Sequence, residues 1–384
     1  MMQTNTLLRA RLGTMALFFI SGALYASWGL HVPTIKEKFA LSDIMLAVAL
    51  FMVAAGPISI ITHIGVWVAR AGGRTACTAG GLFVCACLAL LVWIPWFALL
   101  LPLLVLFGIS TGVMDVAVNA EAASVEIALR RPIMSMMHGV FSIGGATGAA
   151  LGGLALSAGM TPLRHLLLVS AIGAIVALIA RPALLPPADT RAAAQPRGSW
   201  RGLWLLGSLA CVAFIAEGAL YDWTTVYMRD SLHTQYGVAG AAYAVFSAGM
   251  ALGRFFGDPI RARLGNQKCV QLSGVLACIG MSIALVWQTP WAALAGFMLT
   301  GLGLANLVPV MFAAAARVQG AHAAESIARV AGMGYVGFLL GPVLIGVIAH
   351  IATLPVGLSL VAICAALIAG FGPRALRGQA SGNE

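Results

Sequence analysis

Apolar residues fill the chain in long blocks, broken at short intervals by glycine, proline and clustered charge. A helix needs roughly 20 apolar residues to cross the hydrocarbon core of a bilayer, and in that solvent only a structure that satisfies its own backbone groups is viable. The blocks predict twelve helices, called spans 1 to 12 below, at roughly 12–34, 44–68, 75–94, 97–120, 132–157, 162–181, 203–228, 238–260, 268–288, 290–315, 327–350 and 355–372. The widest polar break, from Arg181 to Arg201, carries Pro182, Pro186, Pro187, Asp189, Gln195, Pro196 and Gly198 and separates six spans from six. The expected organisation is an all-α integral membrane protein with an amino-terminal six-helix bundle over 1–181, a cytoplasmic linker over 182–202 and a carboxy-terminal six-helix bundle over 203–384.

Composition narrows the function classes. Of 384 residues 61% are hydrophobic and 9% charged, with a mean hydropathy of +0.97, so little chain is left outside the spans for a second core. That excludes a nucleic-acid binder and a soluble enzyme. The formal charge of +10 is then a matter of topology. With the amino terminus inside, cytoplasmic segments hold seventeen Lys and Arg against four outside (Lys36, Lys38, Arg164 and Arg229), which places both termini in the cytoplasm. The seven cysteines lie in or beside apolar blocks and read as small apolar residues. Gly108 to Gly112 matches G-x-S-x-G but sits inside a helical block, where a nucleophile elbow has no strand to follow. No nucleotide loop or metal motif is present, so no cofactor is expected and the energy source is an ion or solute gradient.

The two halves repeat one another. Gly65 to Gly73 (GVWVARAGG) and Gly257 to Gly265 (GDPIRARLG) share glycine spacing and basic character at an offset of 192; Gly145 pairs with Gly337 at that offset, and Gly153 with Gly346 at one more. A duplicated six-span unit suits a transporter whose pseudosymmetric halves rock about a site. The loops after spans 2 and 8 resemble the G-x-x-x-D-[RK]-x-G-[RK] loop of the major facilitator superfamily, through Gly65, Arg70, Gly73 and Arg74, and through Gly257, Arg261 and Gly265 with Asp258 nearby. Ala69 stands where that family usually has Asp. Within the superfamily, Trp28, Pro33, the following KEKFALSD, and the Asp115 and Asn119 pair resemble the fucose-permease-like branch, although span 1 lacks the acid of that branch's sugar symporters. The resemblance implies twelve spans with both termini inside, and spans 1, 4, 7 and 10 lining a central cavity.

An ionised acid at mid-span costs roughly 2.5 to 3.5 kcal/mol on insertion scales, so such acids are functional candidates. Glu217 near the middle of span 7, Asp222 toward its outer side and Asp115 in span 4 are the proton-coupling candidates. Glu217, Tyr221, Thr224 and Thr225 share one helical face. Asp115 and Asn119 lie one turn apart with Thr111 a turn before, Ser21, Tyr25 and Trp28 form a stripe in span 1, and Asn306 precedes Pro309 in span 10. Tyr25, Trp28, Asn119, His138, Phe141, Tyr221, Trp223, Thr224 and Asn306 are the substrate-binding candidates. Arg70, Arg74, Arg254 and Asp258 are the gating candidates; Arg254 and Asp258 sit one turn apart and suggest an inner-gate salt bridge. Glu121 and Glu126 are expected to pair with Arg130 and Arg131.

The expected protein is a monomeric symporter of the bacterial inner membrane that carries a small polar solute such as a sugar with protons and has no nucleic-acid partner. The alternative is a proton antiporter exporting amphipathic compounds. For it, Gly144, Gly148, Gly152 and Gly153 of span 5 resemble the antiporter motif G-x-x-x-G-P-x-x-G-G, with Ala149 at the proline position. A passive channel or sensor on the same scaffold is the remaining reading.

Overall fold

The computed structural model describes residues 4–130, 133–185, 203–315 and 323–377. Among them, twelve helical segments are long and apolar enough to cross a membrane: Asn5–Lys38, Asp43–Ile60, Gly73–Leu90, Phe97–Leu129, Met134–Ser157, Pro162–Ala183, Trp204–Ser231, Tyr236–Gly257, Pro259–Trp287, Pro290–Ala315, Arg329–Ile351 and Leu354–Leu376. Several run longer than the apolar blocks alone predict, because helix continues through the polar ends. Local chemistry sets many boundaries. Ser42 accepts from the Met45 amide to open span 2, and Thr161 and Thr289, each followed by proline, do the same for spans 6 and 10. Span 2 kinks at Ile60 (φ −128°, ψ 16°), three residues past Pro57. Span 10 breaks at Ala305 and Asn306 between two helical pieces, Pro290–Leu304 and Leu307–Ala315.

The chain divides into two compact units, one of Met1–Ala192 with Gln235–Ala244, the other of Ala193–Thr234 with Val245–Glu384. Within each, span pairs meet through glycines that have no Cβ to hold the neighbouring backbone away. In the first unit Gly144 of span 5 lies against the Phe19 carbonyl of span 1 and Gly148 against Ala23; in the second, Gly337 of span 11 lies against the Cys211 carbonyl of span 7 and Gly341 against Ile215. Gly56 of span 2 and Gly108 of span 4 meet the carbonyls of Val105 and Val53, just as Gly249 of span 8 and Gly301 of span 10 meet those of Met298 and Phe246. Gly81 faces Ala177 across spans 3 and 6, and Gly274 faces Ala369 across spans 9 and 12. The same helix contacts are therefore made twice.

Their register corrects the offset expected from the glycine-rich loops. Phe19 and Cys211 are 192 residues apart, but Val53 and Phe246, Gly108 and Gly301, and Gly144 and Gly337 are 193 apart. The turns follow the second value: Ala40 and His233 share a positive φ (47° and 52°), as do Gly72 and Gly265 (76° and 75°). Gly72, not Gly73, is thus the counterpart of Gly265, and Gly144 rather than Gly145 that of Gly337. The one extra residue of the second unit falls between Ile215 and His233, where span 7 opens into a π-turn at Tyr227–Ser231 that Leu232 closes by donating to the Tyr227 carbonyl at 3.2 Å. Span 1 stays α-helical to Lys38. An inserted residue in a helix takes this form.

At the inner end of the first unit, polar side chains satisfy backbone groups. The Arg74 Nε donates to the Leu184 carbonyl at 2.7 Å, and the Leu185 amide donates to Oε1 of buried Glu121 at 2.6 Å. Glu126 Oε2 accepts from the amides of Ile133 and Met134 at 2.7 and 3.0 Å, capping the start of span 5. The pairing expected between these acids and Arg130 is replaced by bonds to amide donors; Arg131 lies outside the described residues, as does the connector from 186 to 202.

Candidate transport site

In the second unit, the polar residues of span 7 turn inward. Glu217 is buried, and its Oε1 meets Nη2 of Arg254 from span 8 at 3.3 Å, both side chains being largely withdrawn from solvent. Sequence neighbours suggested Asp258 for this arginine, and that residue's side chain lies outside the described residues. Within the described residues a buried guanidinium finds a buried carboxylate on the adjacent helix, an arrangement that offsets part of the desolvation of both charges. Tyr221, one turn beyond Glu217, lies within reach of both charges and stacks edge-on against Phe246 with centroids 5.0 Å apart.

Asp222 is 7% exposed and has no hydrogen-bond or ion-pair partner among the described residues. It does not pair with Arg229, whose Nη1 donates to the Thr234 carbonyl at 2.6 Å. Cys211, Ile215 and Gly218 of span 7 face Gly337, Gly341 and Phe338 of span 11, and Asp222 continues that stripe one turn further. Two other span-7 candidates are fixed elsewhere. The Thr224 hydroxyl donates to the Leu220 carbonyl at 2.7 Å, and Trp223 is fully buried with its Nε1 unpartnered. Asn306 lies at the break in span 10, where its amide donates to the Gly253 carbonyl at 2.8 Å and its side chain occupies the space that a Cβ on Gly257 would fill. It ties span 10 to span 8 instead of pointing free.

In the first unit, Asp115 is exposed and accepts from the Asn119 amide at 3.0 Å, while the same amide reaches the Asp115 carbonyl at 2.9 Å. The two residues share one face of span 4. The Thr111 hydroxyl is committed to the Gly108 carbonyl. Trp28 is 1% exposed and packs against Phe107 with centroids 5.5 Å apart, so it belongs to the interior and leaves no stacking face open. Tyr25 and Phe141 are half-buried, and the Phe141 carbonyl lies against Gly22 of span 1. His138, also half-buried, meets Phe18 edge-on at 5.5 Å. Arg70 is exposed, whereas Arg74 serves the backbone at Leu184 rather than a gate. Among the described residues, a groove of about 320 Å³ lies against Trp67, Ala79, Gly80, Phe83 and Val113 and is lined by none of the candidate acids.

One further buried polar pair lies outside the residues singled out from sequence. Nε2 of His31 in span 1 and Nδ1 of His165 in span 6 are 2.9 Å apart. The available signal was the presence of an imidazole in each of two apolar spans, since ionisable residues within a membrane call for a role.

The chain resembles known transporters along its length. A Major Facilitator Superfamily model matches residues 205–380. An uncharacterized MFS-type transporter of Yersinia pestis is 35% identical over 357 residues, 92% of each chain. An uncharacterized transporter of Sinorhizobium fredii is 31% identical over 367 residues, 94% of this chain and 97% of its own. Among solved structures, the nucleoside transporter NupG superposes with a TM-score of 0.77 at 11% identity, covering 96% of this chain and all of that one, a likeness of fold.

Proposed function

Because the chain belongs to the Major Facilitator Superfamily and is a multi-pass membrane transporter, we propose that it moves a small, largely uncharged polar solute, such as a sugar or nucleoside, together with protons by alternating access. Both termini face the cytoplasm of a bacterial inner membrane in this reading, as the distribution of Lys and Arg asks. The observation that carries it is the buried Glu217 and Arg254 pair, with Tyr221 beside it and Asp222 one residue further on. A proton taken by Glu217 removes the carboxylate charge and frees the guanidinium. Solute hydroxyls are the natural replacement partners for a guanidinium with several N–H donors. Loading of proton and solute are then linked through one arginine, and release of the proton restores the ion pair. The Asp115 and Asn119 pair supplies a second acid with a directional amide beside it. Sugar chemistry is favoured by the fucose-permease-like pattern of spans 1, 2 and 4, and nucleosides by what the NupG name says of that protein.

The antiporter reading is the alternative, resting on the span-5 glycines; of these, Gly144 and Gly148 lie in close contact with Phe19 and Ala23 of span 1, a packing role that needs no antiport.

Purified protein in liposomes, tested against a panel of sugars, nucleosides and amphipathic cations, decides the matter. Solute-evoked proton uptake that disappears in Glu217→Gln supports symport. Proton release driven by an amphipathic cation, with no response to sugars or nucleosides, overturns it.

A further inference from the structure

The first unit holds a buried hydrogen-bonded chain that the proposed transport site does not use. It starts at the half-buried Thr34, whose hydroxyl lies 3.2 Å from His31 Nδ1. It passes through the fully buried His31, whose Nε2 lies 2.9 Å from Nδ1 of His165, itself 6% exposed. It ends at His165 Nε2, which rests against Gly152 of span 5 in the room left by the missing Cβ. The rings are tilted by 47°, with centroids 5.1 Å apart, so the contact is nitrogen to nitrogen and not a stack. Among the described residues no carboxylate or cation pairs with either ring. The charged groups near the ends of their helices are occupied or turned away: Lys36 bonds to Asp43, exposed Glu37 accepts from the Tyr236 hydroxyl at 2.9 Å, Lys38 bonds to the carbonyls of Val92 and Ile94, and Arg164 is exposed.

Two neutral imidazoles sharing one proton between facing nitrogens have two arrangements of opposite polarity. In one, Thr34 donates to His31 Nδ1, His31 Nε2–H donates to His165 Nδ1, and His165 carries its proton on Nε2. In the other, His165 Nδ1–H donates to His31 Nε2 and His31 Nδ1–H donates to Thr34. The first converts into the second when a proton enters at His31 Nδ1, the Nε2 proton moves to His165 Nδ1, and His165 Nε2 gives its proton to a water. One proton enters, one leaves, and each ring ends neutral. A permanently charged imidazolium has no counter-ion here, whereas a relay needs none in its resting states.

From this geometry we infer that Thr34, His31 and His165 form a short proton relay between the end of span 1 and the start of span 6, distinct from the acids of span 7. The inference rests on the reading that the protein moves protons, but its test does not depend on that reading.

Protein labelled with 15N in its histidine rings, held in liposomes and followed by NMR between about pH 5 and 8, the interval in which imidazole exchanges protons readily, reports the tautomers directly. His31→Asn and His165→Asn assign the resonances. The expected result is a coupled pair in which His31 Nε2 and His165 Nδ1 both average between protonated and bare positions. Thr34→Val keeps both rings and removes only the terminal hydroxyl; it should slow the exchange at least tenfold. A pair frozen in one tautomer throughout, or exchange unchanged in Thr34→Val, overturns the relay and leaves a static bridge between spans 1 and 6. Proton uptake into dye-loaded liposomes with a clamped potential gives the second reading. Failure of the symport reading would appear there as no uptake in the unmodified protein, while the ring spectra still decide the relay.

Discussion

The two units share a scaffold and differ in what they bury. Gly56, Gly108 and Gly144 meet neighbouring backbones at the positions where Gly249, Gly301 and Gly337 do so 193 residues later. The polar inserts do not repeat. At the offset of 192 that holds for spans 1 and 7, Tyr25 stands where the second unit has Glu217; at 193, Ile61 stands where it has Arg254, and Val308 stands where the first unit has Asp115. The first unit instead buries the His31 and His165 pair and the Glu121 carboxylate. Duplication has preserved the places where no side chain fits, because a Cβ there would collide with backbone. It has left the polar positions free to diverge, so that the two units carry different polar groups at non-equivalent places.

This contrast can be broken most severely at the ion pair. Arg254→Leu leaves Glu217 buried without its cation and should cost about 3 to 5 kcal/mol, read as a fall in the thermal midpoint in detergent. Adding Glu217→Leu should recover much of that loss, and a double variant no better than the single one would show that the pair does not interact as described. Next come the shared contacts. Gly108→Val and Gly301→Val should each cost about 1 to 3 kcal/mol by overpacking, by similar amounts; a large cost in one unit alone would sink the equivalence. Third, Asn306→Leu removes the bond to the Gly253 carbonyl and should cost roughly 1 to 2 kcal/mol, whereas Asn119→Leu, on a partly solvated helix face, should stay within about 0.5 kcal/mol. Smallest, Glu126→Ala removes the cap of span 5, for a loss of about 1 kcal/mol that Glu126→Asp restores in part.

The spans were legible in the sequence because a bilayer demands about 20 apolar residues wherever a helix crosses it. The polar stripes on spans 4 and 7 were legible because helical periodicity needs only one chain segment. What escaped were bonds between helices. Arg254 bonds to Glu217, 37 residues back on another span, and nothing local in the sequence points there. His31 and His165 are 134 residues apart, and nothing local in either span announces the other. Trp28 looked like a stacking surface because periodicity says which residues share a face, but not whether that face meets solute or protein. The register error had a similar origin: a single residue absorbed by the π-turn at Tyr227–Ser231 shifts the counterparts in spans 8 to 11 by one, before span 12 returns to 192 at Ala369, and repeated glycines in GVWVARAGG let either alignment look correct.

The bonds from Arg74 to Leu184 and from Leu185 to Glu121 tie the two residues that follow the last helix of the first half, which ends at Ala183, back onto spans 3 and 4. A chain divided into two co-expressed fragments, or one carrying a fluorescent reporter between its halves, should accordingly keep Leu184 and Leu185 on the first fragment. Division at Arg181 would strand the Glu121 carboxylate and the Arg74 guanidinium on a fragment without the backbone they hold.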